Sequence, residues 1–171
     1  MERLGTLHDL YVHELRDLYD AEKQVVNALP KMASAAAHTD LKNAFQKHLD
    51  QTRNHVDRLE RIFNDLGISP MGKECVAMQG LLKEGEKLLQ TQADPDVKDA
   101  ALIGAAQRVE HYEIAGYGTA RTYADLLGYD DAADLLQDTL DEEGNTDEKL
   151  TKIATGGLFS EGINKEAMAR R

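Results

Sequence analysis

Residues 108–118 read RVEHYEIAGYG. Two glutamates, Glu110 and Glu113, stand three apart in a stretch that otherwise reads as buried helix. At about 100° per residue, Leu102, Ala106, Val109, Tyr117, Ala120 and Ala124 fall on one side of that helix. Glu113 lies in the middle of the arc and Glu110 at its edge, while His111 and Tyr112 point elsewhere. An unpaired carboxylate in such a place costs several kcal/mol or takes up a proton. This stretch is a helix that needs a reason to bury acid.

The rest of the chain supplies the setting. Turn signals at AAAHTD (35–40), LGISPMG (66–72), TQADPD (91–96) and GYDD (128–131) divide it. Helical periodicity fills the intervals. The first segment runs from Leu7 to Ala36 along Tyr11, Leu18, Ala21, Val25, Leu29 and Met32, with a kink expected ahead of Pro30. The second runs from Asp40 to Leu66 along Leu41, Phe45, Leu49, Val56, Leu59 and Phe63. A short segment, Glu74 to Gln90, carries Leu81, Leu82, Leu88 and Leu89. The third long segment runs from Asp96 to Leu127, and the fourth from Asp130 to Ala154. Short turns make two antiparallel hairpins of the four long helices, and the middle connection is long and carries its own helix. That is an all-α fold, a four-helix bundle with one long crossover, as in ferritin-like folds. The bundle is assigned to residues 1–155, and 156–171 read as a mobile tail.

Composition agrees. Of 171 residues, 42% are hydrophobic and only 5% aromatic, with no Trp and 3 Pro, which favours helices over sheets. The formal net charge of -11 repels phosphate backbones and acidic membrane surfaces, so nucleic acid and membranes are excluded as partners and cations are favoured. A single cysteine, Cys75, allows no internal disulfide. The opening MERLGTLHDL lacks the pattern of a secretory signal, and no apolar run is long enough to span a bilayer. A cytoplasmic location is expected.

Every long helix brings acid or imidazole inward. Glu22 borders the apolar stripe of the first helix, and Glu14 falls on it. His48, Thr52 and His55 lie on the inner line of the second, with Gln51 at its edge. Glu143 and Asp147 lie within the stripe of the fourth, while Glu142 faces away. Together these groups would repel one another, and a multivalent cation removes that penalty. Gln51 and His55 lie 29 and 33 residues beyond Glu22, and Glu143 and Asp147 lie 30 and 34 beyond Glu113. The hairpins thus look like quasi-repeats that could hold two metals sharing carboxylates, about 3.5–4 Å apart. Plainer readings stand beside this one. Glu22 and Glu143 also read as solvated acids, Glu14 as a partner of Arg16, and His48 and His55 as structural histidines. Glu110 or Glu113 could pair with Arg108 or Arg121. Tyr11, Tyr19 and Tyr117 read as packing or as hydrogen-bond donors beside a metal.

The stretches DLYDAEKQ (17–24), HLDQTRNHVDRLE (48–60), KECVAMQGLL (73–82), DAALIGAAQRVEHYEIAGYGT (99–119) and LDEEGNTDEKLT (140–151) resemble the YciE/YciF family of ferritin-like proteins. The resemblance covers about residues 5–155. It implies a ferritin-like bundle, usually dimeric, with a di-iron-type site and an association with stress responses. The implied metal positions are Glu22, Glu110, Glu113, Glu143 and Asp147, with Gln51 and His55 from the second helix. The sequence departs from the usual Glu-x-x-His pattern in both second helices.

The functional expectation is a di-metal carboxylate protein. Iron is expected, two ions per chain, with manganese as the variant. An oxidase or peroxidase using O₂ or peroxide would follow. The alternatives are a helical stress-related scaffold with a structural or vestigial metal, and iron storage. The leucines of the crossover helix predict a homodimer.

Overall fold

The computed structural model describes residues 4–157 and 160–168. Helix α1 spans Leu7–Ala35, α2 Thr39–Leu66, α3 Val76–Gln90, α4 Pro95–Leu127 and α5 Asp130–Thr155. These boundaries fall within two residues of the sequence expectation, because the ends are chemically marked. Thr6 and Asp9 form a reciprocal capping box at the start of α1, with Asp9 N–H donating to Thr6 Oγ1 (3.1 Å) and Thr6 N–H to Asp9 Oδ2 (3.0 Å). Gly67 and Gly128 close α2 and α4 in the left-handed conformation, with φ of 67° and 74°. Helix α1 runs through Pro30 without ending.

Helices α1 and α2 form one hairpin and α4 and α5 the other; α1 packs on α4 and α2 on α5 to close the bundle. The crossover helix α3 lies against α4 and α1. The chain is thus all-α and ferritin-like in layout, as the sequence predicts. Beyond the bundle there is one small addition. A two-residue antiparallel pairing joins Gly156–Gly157 to Ser160–Glu161, and a short helix α6, Ile163–Met168, follows. The core does not stop at the boundary drawn at residue 155. Ile163 is 2% exposed and belongs to the same apolar cluster as Leu150 and Ala154.

The interior is split along its length. One cluster gathers Val25, Leu29, Phe45, Cys75, Met78, Leu102, Val109 and Leu150. The other gathers Tyr11, Leu15, Leu18, Leu59, Ile62, Tyr117, Ala120 and Leu136. Between them in every long helix sit the buried polar residues: Glu22 in α1, His48, Thr52 and His55 in α2, Glu110 and Glu113 in α4, Glu143 in α5.

Gly116 sets the approach of α1 to α4 at this level. A Cβ there would lie 2.7 Å from Leu18 Cδ2, and Leu18, 1% exposed, would have to shift within the packed core to make room. Gly118, two residues on, has nothing within 4 Å of the same point. Gly116→Val is therefore expected to lose about 2 kcal/mol or more through overpacking. Gly118→Ala is expected to gain about 0.5–1 kcal/mol from helix propensity. Thermal or urea unfolding of both variants measures the contrast.

Candidate metal centre

Two overlapping groups of buried side chains bring their ligand atoms within 4.8 Å of one another: His48, Glu110, Glu113 and Glu143, and Glu22, His55 and Glu143. Glu143 belongs to both. His55 Nδ1 lies 2.9 Å from Glu143 Oε1 and 3.3 Å from Glu22 Oε1. His48 Nε2 lies 3.3 Å from Glu110 Oε1 and 3.6 Å from Glu143 Oε2. None of these inward contacts gives its nitrogen a well-formed hydrogen bond. His48 Nε2, His55 Nδ1, both oxygens of Glu113 and of Glu143, Glu22 Oε2 and Glu110 Oε2 are buried with no hydrogen-bond partner. In a folded interior such orphans are rare, because each one forfeits its hydration. Their atoms are those that a transition metal takes, imidazole nitrogen and carboxylate oxygen. The donor set fits a metal pair.

The outer contacts fix the tautomers that such a role requires. His55 Nε2 meets Glu142 Oε2 at 2.8 Å, and Glu142 is itself gripped by Arg58 at 2.8 and 3.2 Å. The outer nitrogen of His55 thus keeps a proton, and once a cation displaces the other one, Nδ1 can turn a lone pair inward. Thr146 Oγ1 donates its only proton to the Glu142 carbonyl (2.9 Å), so at 3.3 Å it accepts from His48 Nδ1–H. That leaves the His48 Nε2 lone pair facing the carboxylates. An outer partner that orients a histidine in this way raises its strength as a ligand. Tyr117 donates to Glu22 Oε1 at 2.6 Å and orients the carboxylate of α1.

Charge and burial compete here. Burial pushes Glu110 up to about 8 and Glu143 to about 7, and raises Glu22 and, further, Glu113. Burial alone would lower His55, yet Glu22 and Glu143 outweigh it and bring it to about 11. His48 is held below its ordinary range, chiefly by burial. Without a cation the cluster keeps protons that it would not keep in water.

Of the positions expected from sequence, Glu22, His55, Glu110, Glu113 and Glu143 converge. Asp147 stays outside both groups. The buried line of α2 runs through Leu41, Phe45, His48, Thr52, His55, Leu59 and Ile62, spaced alternately by four and three residues, with Ala44 and Phe63 buried beside it. Gln51 lies one residue off that line and is half-buried. Asp147 Oδ1 instead accepts from Gln107 Nε2 (3.0 Å) and lies 3.5 Å from His111 Nε2. His48, left open as a structural histidine, joins the centre. Glu142 does not simply face away, because it holds His55. Neither of the two candidate arginines pairs with the opening glutamates: Arg108 donates to the Gly104 carbonyl and Arg121 pairs with Asp125. Glu14 is half-buried on α1, outside both groups.

Residues 6–168 match the family model described as a domain of unknown function, DUF892. Over 165 residues the chain is 44% identical to Protein YciF of Escherichia coli strain K12, covering 95% of this chain and 98% of that protein. Its fold matches the crystal structure of the E. coli stress protein YciF with a TM-score of 0.86 at 39% identity, over 98% of this chain and 100% of that one. It matches YcfI from Rhodopseudomonas palustris with a TM-score of 0.85 at 43% identity, over 88% and 96%. A two-domain protein of Anabaena variabilis, containing DJ-1/ThiJ/PfpI-like and ferritin-like domains, shares the fold alone. Its TM-score is 0.58 at 15% identity, over 98% of this chain and 39% of that one.

The proton count gives a stability test. Glu110 at about 8, Glu143 at about 7 and His55 at about 11 all lie above their ordinary values of 4.5 and 6.5. Above pH 6.5 the folded metal-free chain therefore binds more protons than the unfolded chain, and its stability falls as pH rises. Melting with a chelator should show a lower Tm at about pH 8 than at about pH 6.5. Metal-loaded protein should lose less over that interval, because the cation replaces the protons.

Proposed function

We propose, from the premise that the chain belongs to the DUF892 family, that it is a di-metal carboxylate protein, di-iron in use, reacting with O₂ or peroxide in a stress response. The observation that carries this is the set of eight buried ligand atoms without hydrogen bonds on four glutamates and two histidines, with Glu143 common to both groups. The similarity to a protein described as a stress protein supports the physiological setting.

Each residue has a distinct part in this reading. Glu143 would serve both metal positions. Glu22 and His55 would complete one of them, and His48, Glu110 and Glu113 the other. An iron pair held there would supply the electrons for reduction of O₂ or peroxide. The chain's own contribution is positional and electrostatic. Arg58 and Glu142 hold His55, Thr146 holds His48, and Tyr117 holds Glu22. The apolar clusters on both sides exclude bulk water and keep the local dielectric low.

A helical scaffold with a redox-silent metal is the second reading. Thr52 and Thr146 favour it, since hydroxyls stand where a fuller ligand set would place a second carboxylate and a second imidazole. The chain works as a homodimer in either case, through the half-buried Leu81, Leu82, Leu88 and Leu89 of α3 beside Val76, which is 68% exposed. A cytoplasmic setting accords with Cys75, a free buried thiol, and no described helix is long and apolar enough to cross a membrane.

Anaerobic reconstitution with ferrous iron, followed by elemental analysis and exposure to O₂ or peroxide, tests the assignment. About two metals per chain and consumption of the oxidant are expected; tight metal with no turnover would leave the scaffold. Glu113→Gln keeps shape and removes charge, so metal content should fall sharply. The metal-free variant should be at least as stable as metal-free wild type, since the buried acid that must hold a proton or repel its neighbours is gone. An ion pair at Glu113 would give the opposite sign. Light scattering should return the mass of a dimer, and a monomer mass at all concentrations would remove the α3 interface.

A further inference from the structure

We infer that Tyr112 is a one-electron donor to the buried centre, and that Asp17 takes its phenolic proton as the electron leaves. The inference rests on the di-metal, O₂- or peroxide-reactive reading above.

Both side chains belong to a cluster that the metal reading leaves unused. Tyr112 directly precedes Glu113 on α4, one peptide unit away, about 3.8 Å between Cα atoms. Its hydroxyl donates to Asp17 Oδ2. The Cys75 thiol donates to the same oxygen at 3.0 Å and lies 3.1 Å from the phenol. Asp17 is 9% exposed and Cys75 is fully buried, so the contact is shielded from bulk water. Burial by itself would raise Asp17, but hydrogen bonds from Lys73, Tyr112 and Cys75 outweigh it and hold the carboxyl below its ordinary value. The carboxylate is therefore ionised and can accept a proton. Lys73 Nζ lies 2.8 Å from Asp17 Oδ1 and 2.7 Å from His13 Nε2, which continues the hydrogen bonds toward the half-buried His13.

Peroxide or O₂ reacting at the centre is the oxidant. The O–H bond of Tyr112 breaks. The electron goes to the oxidised centre, the proton goes to Asp17 Oδ2, and a neutral phenoxyl radical stays on Tyr112. Moving the proton with the electron avoids an uncompensated cationic phenol in a low-dielectric interior.

The other tyrosines are less suited. Tyr117 is fully buried and donates to Glu22, a carboxylate that the metal would hold. The Tyr11 hydroxyl is buried with no hydrogen-bond partner, so its proton has no acceptor. Tyr19 donates to Glu60, but Lys23 Nζ stands 5.1 Å from the centre of its ring, and a cation there opposes loss of an electron. Tyr123 and Tyr129 come ten and sixteen residues after Glu113, about 15 Å or more away at the rise of a helix.

The whole chain, reconstituted anaerobically with ferrous iron, mixed with peroxide or O₂ and freeze-quenched, tests this by electron paramagnetic resonance. Elemental analysis gives the iron content of the same samples. Wild type is expected to show a phenoxyl signal. Tyr112→Phe should abolish it with iron content unchanged, because the hydroxyl is turned to Asp17. Asp17→Asn keeps the phenol but removes the base, and should slow radical formation about tenfold or more. Tyr19→Phe should match wild type. A ring-fluorinated tyrosine at position 112 keeps the hydroxyl and its contacts and should add a fluorine splitting to the signal, which identifies the radical even if Tyr112→Phe folds poorly. Wild type that binds iron and consumes the oxidant without a phenoxyl signal would overturn this inference alone. So would a signal that survives in Tyr112→Phe or lacks the fluorine splitting, or an Asp17→Asn rate equal to that of wild type. Wild type that binds no iron, or binds it and consumes no oxidant, would overturn the proposed function and this inference with it.

Discussion

A layer of unsatisfied acids and imidazoles lies across the middle of an otherwise apolar bundle, and most of the surrounding structure can be understood as holding it there. The apolar clusters above and below each run through all four long helices. They must be well enough packed to offset the cost of the layer between them. An unpaired buried carboxylate costs several kcal/mol, comparable to a large part of a domain's net stability. The cluster lowers that cost by keeping protons when no cation is present, as the raised Glu110 and Glu143 show. A metal pair would remove it altogether, so folding and metal binding are linked through the same few atoms.

The layer is held from outside as well as from within. On the α2–α5 face Arg58, Glu142 and Thr146 fix both histidines. On the α1–α4 face a second network ties the start of the crossover to the bundle. Cys75 N–H donates to Asp20 (2.7 Å), Gln24 donates to the Cys75 carbonyl (3.1 Å), and Tyr112 and Lys73 both meet Asp17. Gly116 permits the close α1–α4 contact one turn from Glu113. A shift of either helix would spread the ligand atoms apart, so the positions that look like packing also set the chemistry.

The fold was legible because helix ends and apolar periods are local signals. Thr6, Gly67, Asp94 and Gly128 mark boundaries without reference to any neighbour. The convergence of Glu22, Glu110, Glu113 and Glu143 was legible for a related reason: an acid on an apolar arc is conspicuous. A helix wheel does not resolve one residue at the edge of a stripe, which is where Gln51 lies, and it does not show that Asp147 meets Gln107 and His111. The four-and-three alternation of α2 selects His48, Thr52 and His55, and the same alternation was present in Leu41, Phe45, Leu59 and Ile62. His48 could have been found from that line. Glu142 could not, since its role depends on Arg58 and His55 arriving from another helix. Nor could the docking of Ile163, whose place depends on the chain turning back after Thr155.

The corrected positions also change how the two hairpins compare. Glu22 and His55 are separated by 33 residues, as are Glu113 and Thr146; Glu22 and Thr52 are separated by 30, as are Glu113 and Glu143. The repeat is in register, but its chemistry is not. Thr52 stands opposite Glu143, and Thr146 stands opposite His55. Each hairpin therefore supplies one member of the pair that the other lacks, and Glu143 must be shared. His48 and Glu110, which have no acid or histidine at the matching place, fill one side only. A symmetric backbone thus carries an asymmetric centre, with three donors on one side and four on the other. Two cations bound there would meet different charge and different donors, so unequal affinities follow from the sequence of the hairpins rather than from any distortion of the bundle.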